Sequence, residues 1–249
     1  MNILLTVQYD GTDYNGWQRQ SNTPHTIQEI LEDALAQRLG AHHLLTAAGR
    51  TDAGVHALAM PCMFQCQEIR IPADRLPFSL NSLLPPDIRV VDARITADGF
   101  DPILSASSKT YRYQLDNAAI PNVFKRRYAW HIHHPLDACA MHSAAAHFVG
   151  THDFKAFAAA GGSAKTSVRT IFALDVERRS DEVIISVTGN GFLYNMVRII
   201  TGTLVEVGLG KKHPLDIPAI ILSRDRKKAG QTAPAAGLSM IEVIYSEYT

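Results

Sequence analysis

The sequence predicts an α+β fold of two related halves, with a central, mainly antiparallel sheet and an active-site cleft. Three observations predict it. Strand-like and helix-period segments alternate in the order βαββαβ from residue 3 to residue 96. A looser version of the same alternation fills the rest of the chain. With 249 residues, 46% of them hydrophobic, there is enough apolar material for one large core or two small ones. The βαββαβ order is that of the ferredoxin-like, or RRM-like, unit.

Residues 3–9 are an apolar run that stops at Asp10-Gly11. A polar loop follows to Pro24. Thr26 is an N-cap with Glu29 completing a capping box. Ile27, Ile30, Leu31, Ala34 and Leu35 recur at helical spacing, and Gly40 can end that helix. Residues 43–48 and 57–66 read as strands flanking a short loop. A second helix spans Pro72 to Leu84, stopped by Pro85-Pro86, and a strand covers 88–96. In the second half, 109–115 reads as a strand and 136–149 as an Ala-rich helix. Segments 168–179 and 182–189 are strands joined at Ser180-Asp181. Helices over 192–207 and 216–223 and a closing strand over 238–246 complete the chain. The division is expected between Asp98 and Ser108, giving halves of 1–105 and 106–249.

Several classes are disfavoured by composition. No stretch has the length of a membrane helix, and the start MNILLTVQYD lacks a signal peptide's charged-then-apolar layout. Three cysteines, Cys62, Cys66 and Cys139, make no disulfide framework, so a reducing cytoplasm is expected. A formal net charge of zero argues against a strong, non-specific nucleic-acid binder. Any RNA affinity must come from local patches.

The loop Gly49-Arg50-Thr51-Asp52-Ala53-Gly54-Val55-His56-Ala57 carries the most chemistry. Glycines let the backbone turn sharply and approach a ligand. An arginine beside an aspartate favours the charged carboxylate, which suits a nucleophile or base. An isolated Arg-x-Asp-x-Gly loop is more often just an Asx turn. Here the whole string GRTDAGVHA resembles the active-site signature of the tRNA pseudouridine synthase A family. Further blocks occur in that family's order: Tyr9-Asp10-Gly11-Thr12 with Gly16-Trp17-Gln18-Arg19-Gln20, then Thr26-Ile27-Gln28-Glu29 with Leu31-Glu32, and later Lys109-Thr110-Tyr111-Arg112-Tyr113. Gly191 through Arg198 and the tail Ala233-Pro234-Ala235-Ala236-Gly237-Leu238 complete the set, which spans nearly the whole chain.

The resemblance implies a pseudouridine-synthase fold and an isomerase that converts uridine to pseudouridine in the anticodon stem-loop of tRNA, at tRNA positions 38, 39 and 40. It implies a homodimer as the tRNA-binding unit and no cofactor. It makes Asp52 the nucleophile and Arg198 the partner that keeps this carboxylate ionised. Tyr111 would lie against the target uracil and could help remove its C5 proton. Leu238 would be an apolar wall for the base. Arg50 would serve the RNA, since an extruded base leaves a gap that a planar guanidinium can brace. Arg19, Lys109 and Arg112 are further contact candidates, with Lys125-Arg126-Arg127, Lys165, Arg169 and the cluster from Arg224 to Lys228. From pattern alone each has a plainer reading. A strand Tyr is usually core filler, an Arg amid Met196-Val197 and Ile199-Ile200 can snorkel to solvent, and most cations are solvated surface.

A metal site is not expected. His131, His133 and His134 lack acidic or cysteine ligands at standard spacing, and Cys62 and Cys66 are too far apart along a strand. His56 is expected to orient the loop through hydrogen bonds. No Walker or Rossmann loop occurs. Two stretches depart from the family's pattern. A basic segment is replaced by Phe100-Asp101-Pro102-Ile103-Leu104, and another block is altered to Phe157-Ala158-Ala159-Ala160-Gly161-Gly162. Both weaken the expected RNA surface without touching Asp52, Tyr111 or Arg198. The alternatives are a noncatalytic tRNA-binding or RNA-folding protein, and a glycoside hydrolase, which would need a second placed carboxyl group.

Overall fold

The computed structural model describes residues 1–21 and 23–245. Contacts divide the chain into two compact units. One holds Met1–Ser107 together with the chain from Ser239, and the other holds Ser108–Leu238.

The first unit begins with β1 (Asn2–Tyr9), followed by α1 (Ile27–Leu39), β2 (Thr46–Ala47) and β3 (His56–Gln65). A 3-10 turn (Ala73–Arg75), α2 (Leu76–Asn81) and β4 (Ile88–Thr96) complete its βαββαβ series. β1 lies between β3 and β4, antiparallel to both, and β2 pairs with β3 at Thr46↔Met63 and Ala47↔Cys62. The second strand is thus shorter than the expected 43–48, because only two residues find ladder partners before the chain turns into the loop. The second helix is likewise cut to a 3-10 turn plus a short α-helix.

β1 is buried on both faces over its first half, which fits the apolar run Ile3-Leu4-Leu5, and Gln8 near its end is exposed. Ile3, Leu5 and Val7 are fully buried, as are Ile27 and Leu35 of α1 and Met60 and Cys62 of β3. Leu4 joins a separate cluster with Met63, Phe100 and Tyr245. The Phe100–Leu104 stretch is therefore structural at one end. Phe100 meets Tyr245 edge-on at 5.0 Å, while Leu104 is exposed.

α1 starts as its sequence dictates. The Thr26 side chain accepts the Glu29 amide at 3.3 Å. The returning bond of the expected capping box shifts by one residue, since Glu29 accepts from the His25 amide. Gly40 ends the helix in the left-handed region, φ +78°.

The second unit holds β5 (Ser108–Asp116), β6 (Trp130–His131), α3 (Ala138–Ala145) and β7 (Gly150–Asp153). β8 (Val168–Arg179), β9 (Glu182–Gly189), α4 (Met196–Gly208) and α5 (Asp216–Ser223) follow. Its sheet runs β5-β9-β8-β7, all antiparallel, and β6 adds to β5 in parallel. β8, β9 and α5 coincide with the sequence reading. β6 and β7 are too short to show a period of two. α4 starts four residues later than expected, because Asn195 at φ +60° sets its N-cap.

The closing strand β10 (Leu238–Ile244) pairs in parallel with β3 at Ser239↔His56 and Met240↔Ala57. That pairing places the chain from Ser239 in the first unit, whereas sequence order had kept it with residues 106–249. The expected end of this strand at residue 246 lies outside the described residues.

Candidate active site

In the first unit the loop from Ala48 to Val55 joins β2 to β3. Its turn is closed by backbone groups, with the Val55 amide donating to the Asp52 carbonyl at 3.1 Å. Gly54, at φ +79°, makes the turn possible. Asp52 is half-buried, Arg50 is exposed, and Thr51 and Val55 on either side of Asp52 are buried. The loop is anchored through its apolar and backbone atoms and presents its charged ones.

What anchors it is the amino-terminal motif. The Trp17 amide donates to the Thr51 carbonyl at 3.0 Å. The Tyr9 hydroxyl and Thr51 Oγ1 are 2.7 Å apart, and Trp17, fully buried, lies 6.1 Å from the Tyr9 ring. Two glycines are required by contact. A Cβ at Gly11 would fall 2.0 Å from the Val55 carbonyl oxygen, and one at Gly16 would fall 2.7 Å from that of Thr51. Gly16 also sits at φ +82°. The buried His56 ring receives the Gly11 amide on Nδ1 at 3.0 Å, with Asp10 Oδ1 at 3.1 Å from the same nitrogen. His56 therefore ties the 10–12 turn to the start of β3, the orienting part expected of it.

A second brace holds the chain just before β2. Glu32 on α1 is fully buried, and its carboxylate accepts from the Leu45 amide, Gln28 Nε2 and Arg19 Nη1 at 2.9–3.1 Å. Arg19 also lies 3.6 Å from both Glu29 and Asp33. This candidate RNA contact thus has its charge countered by three carboxylates of α1. A buried carboxylate needs such partners, because an unpaired one is strongly destabilising.

In the second unit β5 alternates as expected. Tyr111, Tyr113 and Leu115 are buried while Thr110, Arg112 and Gln114 are partly exposed. Tyr111 pairs with Val187 and meets Phe192 edge-on at 5.3 Å. Lys109 and Arg112 are both half-exposed. Arg198, in the first turn of α4, does not snorkel. Its Nε donates to the Ala233 carbonyl at 2.7 Å and Nη1 to Asn195 Oδ1 at 2.8 Å.

The tail motif connects these residues. The Ala233 amide donates to the Arg198 carbonyl, and the Tyr113 hydroxyl donates to the Pro234 carbonyl at 2.7 Å. A Cβ at Gly237 would fall 2.5 Å from the Tyr113 ring, so only glycine fits there. Leu238 follows, buried, at the start of β10. Burial pushes the Tyr113 phenol well above its usual range, with Arg198 pulling the other way. Sequence reasoning singled out Tyr111 and passed over Tyr113, Thr51, Trp17 and Glu32. The signal was present, since all four fall within or next to the quoted motifs.

Several candidate RNA cations are already engaged. Lys125 bonds Glu182 at 2.7 Å and Arg224 bonds Asp153 at 2.8 Å. Arg226 folds back on the Gly230 carbonyl, and Arg169 donates to the carbonyls of Thr166 and Val168. Burial lowers the pKa of the Arg169 guanidinium. Lys165 is exposed. In the altered stretch, Phe157 is fully buried and the Ala159 amide donates to the Tyr194 carbonyl just before α4. No group of three or more His, Cys, Asp or Glu among the described residues is placed to hold a metal ion. No helix among them is long and apolar enough to cross a membrane.

The chain resembles known proteins over nearly its whole length. A family model described as tRNA pseudouridine synthase matches residues 5–101 and 144–246. The chain is 46% identical over 244 residues to a protein of Thermoanaerobacter pseudethanolicus named tRNA pseudouridine synthase A, covering 98% of this chain and 99% of that one. Proteins of the same name from Geotalea uraniireducens, 47% identical over 243 residues, and Acetivibrio thermocellus, 46% identical over 244, are covered to the same extent.

Proposed function

The chain belongs to the tRNA pseudouridine synthase family, and we propose that it isomerises uridine to pseudouridine in the anticodon stem-loop of tRNA with Asp52 as its nucleophile. The observation that carries this is the Asp52 loop. It exposes an Arg and half-exposes a carboxylate while two glycine contacts, a buried Tyr–Thr pair and a Trp amide fix its backbone. Such prior fixing is what a catalytic group needs, because reorganisation at the moment of reaction is avoided.

The reaction breaks the N1–C1′ bond, turns the uracil and joins C5 to C1′; C5 then loses its proton and N1 gains one. Asp52 serves it by attack at C1′ or by starting elimination to a glycal. Neither route changes oxidation state or needs a second reactant. The resemblance gives Arg198 the task of keeping the carboxylate anionic, and its two bonds to Ala233 and Asn195 hold it rigidly enough for that. It gives Tyr111 the task of bracing the uracil with its buried ring and of taking part, through its hydroxyl, in removal of the C5 proton. Leu238 is the apolar wall, and Arg50, exposed beside Asp52, braces the RNA around the extruded base. Lys109 and Arg112 add phosphate contacts. The working unit is a homodimer in the cytoplasm, where two neutral chains combine their local cationic patches on one tRNA. Each half is a ferredoxin-like unit. The first supports this with β1 between β3 and β4, and the second is the looser copy.

Chemical mapping of pseudouridine in total tRNA, from cells with and without the protein, tests the reading. Pseudouridine in the anticodon stem-loop should vanish without it. Free uracil released from purified tRNA would mean a hydrolase, and an unchanged map would mean a binder.

A further inference from the structure

We propose that Asn195 is a positioning residue for the isomerisation. Its side-chain oxygen is diverted from capping α4 to aim the Arg198 guanidinium, and it does so without cancelling that group's charge. The proposal rests on the reading that gives Arg198 the task of keeping the catalytic carboxylate anionic.

Asn195 does not do what an Asn at its place ordinarily does. It is the N-cap of α4, where the side chain would accept an amide of the second or third helical residue from an extended backbone. Here no side-chain cap bond forms, and the backbone is left-handed, at φ +60° and ψ 9°. Neither feature helps the helix. The left-handed region is uncommon for residues other than glycine, and the amides of the first turn go without a side-chain oxygen. What the residue makes instead is a bond from Arg198 Nη1 to its Oδ1, 2.8 Å long and three residues on. A guanidinium has only donors, so the carboxamide oxygen and not its nitrogen must face it. An unusual backbone beside a functional side chain points to placement.

The surroundings hold both ends of this grip. Before Asn195, the Ala159 amide donates to the Tyr194 carbonyl at 3.0 Å and the Met196 amide to the Leu193 carbonyl at 3.0 Å. Leu193, Met196 and Val197 are buried, so the turn is fixed by its neighbours. On the other side, Arg198 and Ala233 exchange two bonds, Nε to the Ala233 carbonyl at 2.7 Å and the Ala233 amide to the Arg198 carbonyl at 3.1 Å. The chain leading to Ala233 is pressed on α4. A Cβ at Gly202 would overlap the Gln231 carbonyl oxygen, and the Thr203 hydroxyl accepts the Gly230 amide at 2.8 Å. Bonds from two different nitrogens fix the plane of the guanidinium. Both acceptors are neutral oxygens, which orient a cation without neutralising it.

The rival reading is that Asn195 serves the backbone alone, since Asn and Asp tolerate the left-handed region. Single-turnover formation of pseudouridine on saturating tRNA, measured beside tRNA affinity and melting temperature, separates the two. Asn195→Gly keeps the backbone and removes the acceptor. It should melt no lower than the wild type and bind tRNA equally well, yet react roughly 10- to 100-fold more slowly. Asn195→Asp suits the same turn and still holds the guanidinium, but its carboxylate counters the charge. It should slow the reaction at least as much at unchanged affinity. In an Arg198→Ala background Asn195→Gly should cause no further loss, because nothing is left to aim. Wild-type rates for either Asn195 variant, or the same additional loss in the Arg198→Ala background, would overturn the proposal. If Arg198→Ala is slow while Asn195→Gly reacts normally, the proposal fails and the synthase reading stands. No pseudouridine from the wild-type protein, or a wild-type rate for Arg198→Ala, would overturn the reading beneath it and the proposal with it.

Discussion

The Asp52 loop and the elements that carry Tyr111 and Arg198 are held by opposite means. The loop has no regular structure, and its shape comes from backbone packed on backbone, at Gly11 against Val55 and Gly16 against Thr51. Tyr111 sits in an ordinary antiparallel ladder, and Arg198 sits in the first turn of an ordinary helix. A side chain on a regular element is placed by the element and tuned by one or two bonds. A side chain on an irregular loop is placed only as well as its neighbours exclude every other loop shape. The first region should therefore fail sharply when a bracing atom is added, and the second should fail softly when a side-chain atom is removed.

The largest effect on folding is expected from Gly11→Ala. The added methyl must displace the Val55 backbone, because the clash is with a carbonyl oxygen and not a flexible side chain. Overpacking of this kind costs about 3 kcal/mol, which lowers the melting temperature of a chain this size by roughly 10 °C. Calorimetry checks it, and an unchanged melting temperature would show the loop to be compliant.

Tyr111→Phe sharpens the comparison from the other side. The phenyl ring keeps the edge contact with Phe192, so stability should change by less than about 1 kcal/mol. Turnover should fall about 100-fold as the proton-transfer group is lost, with tRNA affinity retained. Wild-type turnover would reduce Tyr111 to a stacking surface.

Tyr9→Phe should have the smallest effect on turnover. It leaves the buried Thr51 hydroxyl without its partner at a cost of about 1–2 kcal/mol. Single-turnover kinetics should show a modest loss of rate at constant tRNA affinity. A loss of stability with no change of rate would mean that the Tyr9–Thr51 bond supports the fold without placing Asp52.

The same contrast explains what was legible in the sequence. Backbone contacts that admit only glycine leave contiguous motifs, so the loop and its brace stand out as GRTDAGVHA, YDGT and GWQRQ. Most long elements were legible from periodicity, with β8, β9 and α5 found to the residue. The two-residue strand β6 was not, and β2 was read too long, because pairing and not local pattern sets their extent. The parallel pairing of β10 with β3 was also hidden, since it joins residues almost two hundred apart in sequence. The pairing of Glu32 with Arg19 was not legible although both lie in or beside motifs, because a motif names residues and not their partners, and Arg19 alone reads as a surface cation. Tyr113 was legible as a strand residue but not as the anchor of the tail, a contact that depends on Gly237 meeting its ring.

Release of tritium from C5-labelled uridine in tRNA by the Asp52→Asn protein, measured beside its tRNA affinity, tests the central claim most directly. Asparagine keeps the size and suits the same turn, but an amide cannot supply an anionic nucleophile or base. Release should fall below detection while affinity changes by less than about 1 kcal/mol, because contacts to phosphates dominate binding. Substantial release by the Asn variant would contradict the account and remove Asp52 from the chemistry.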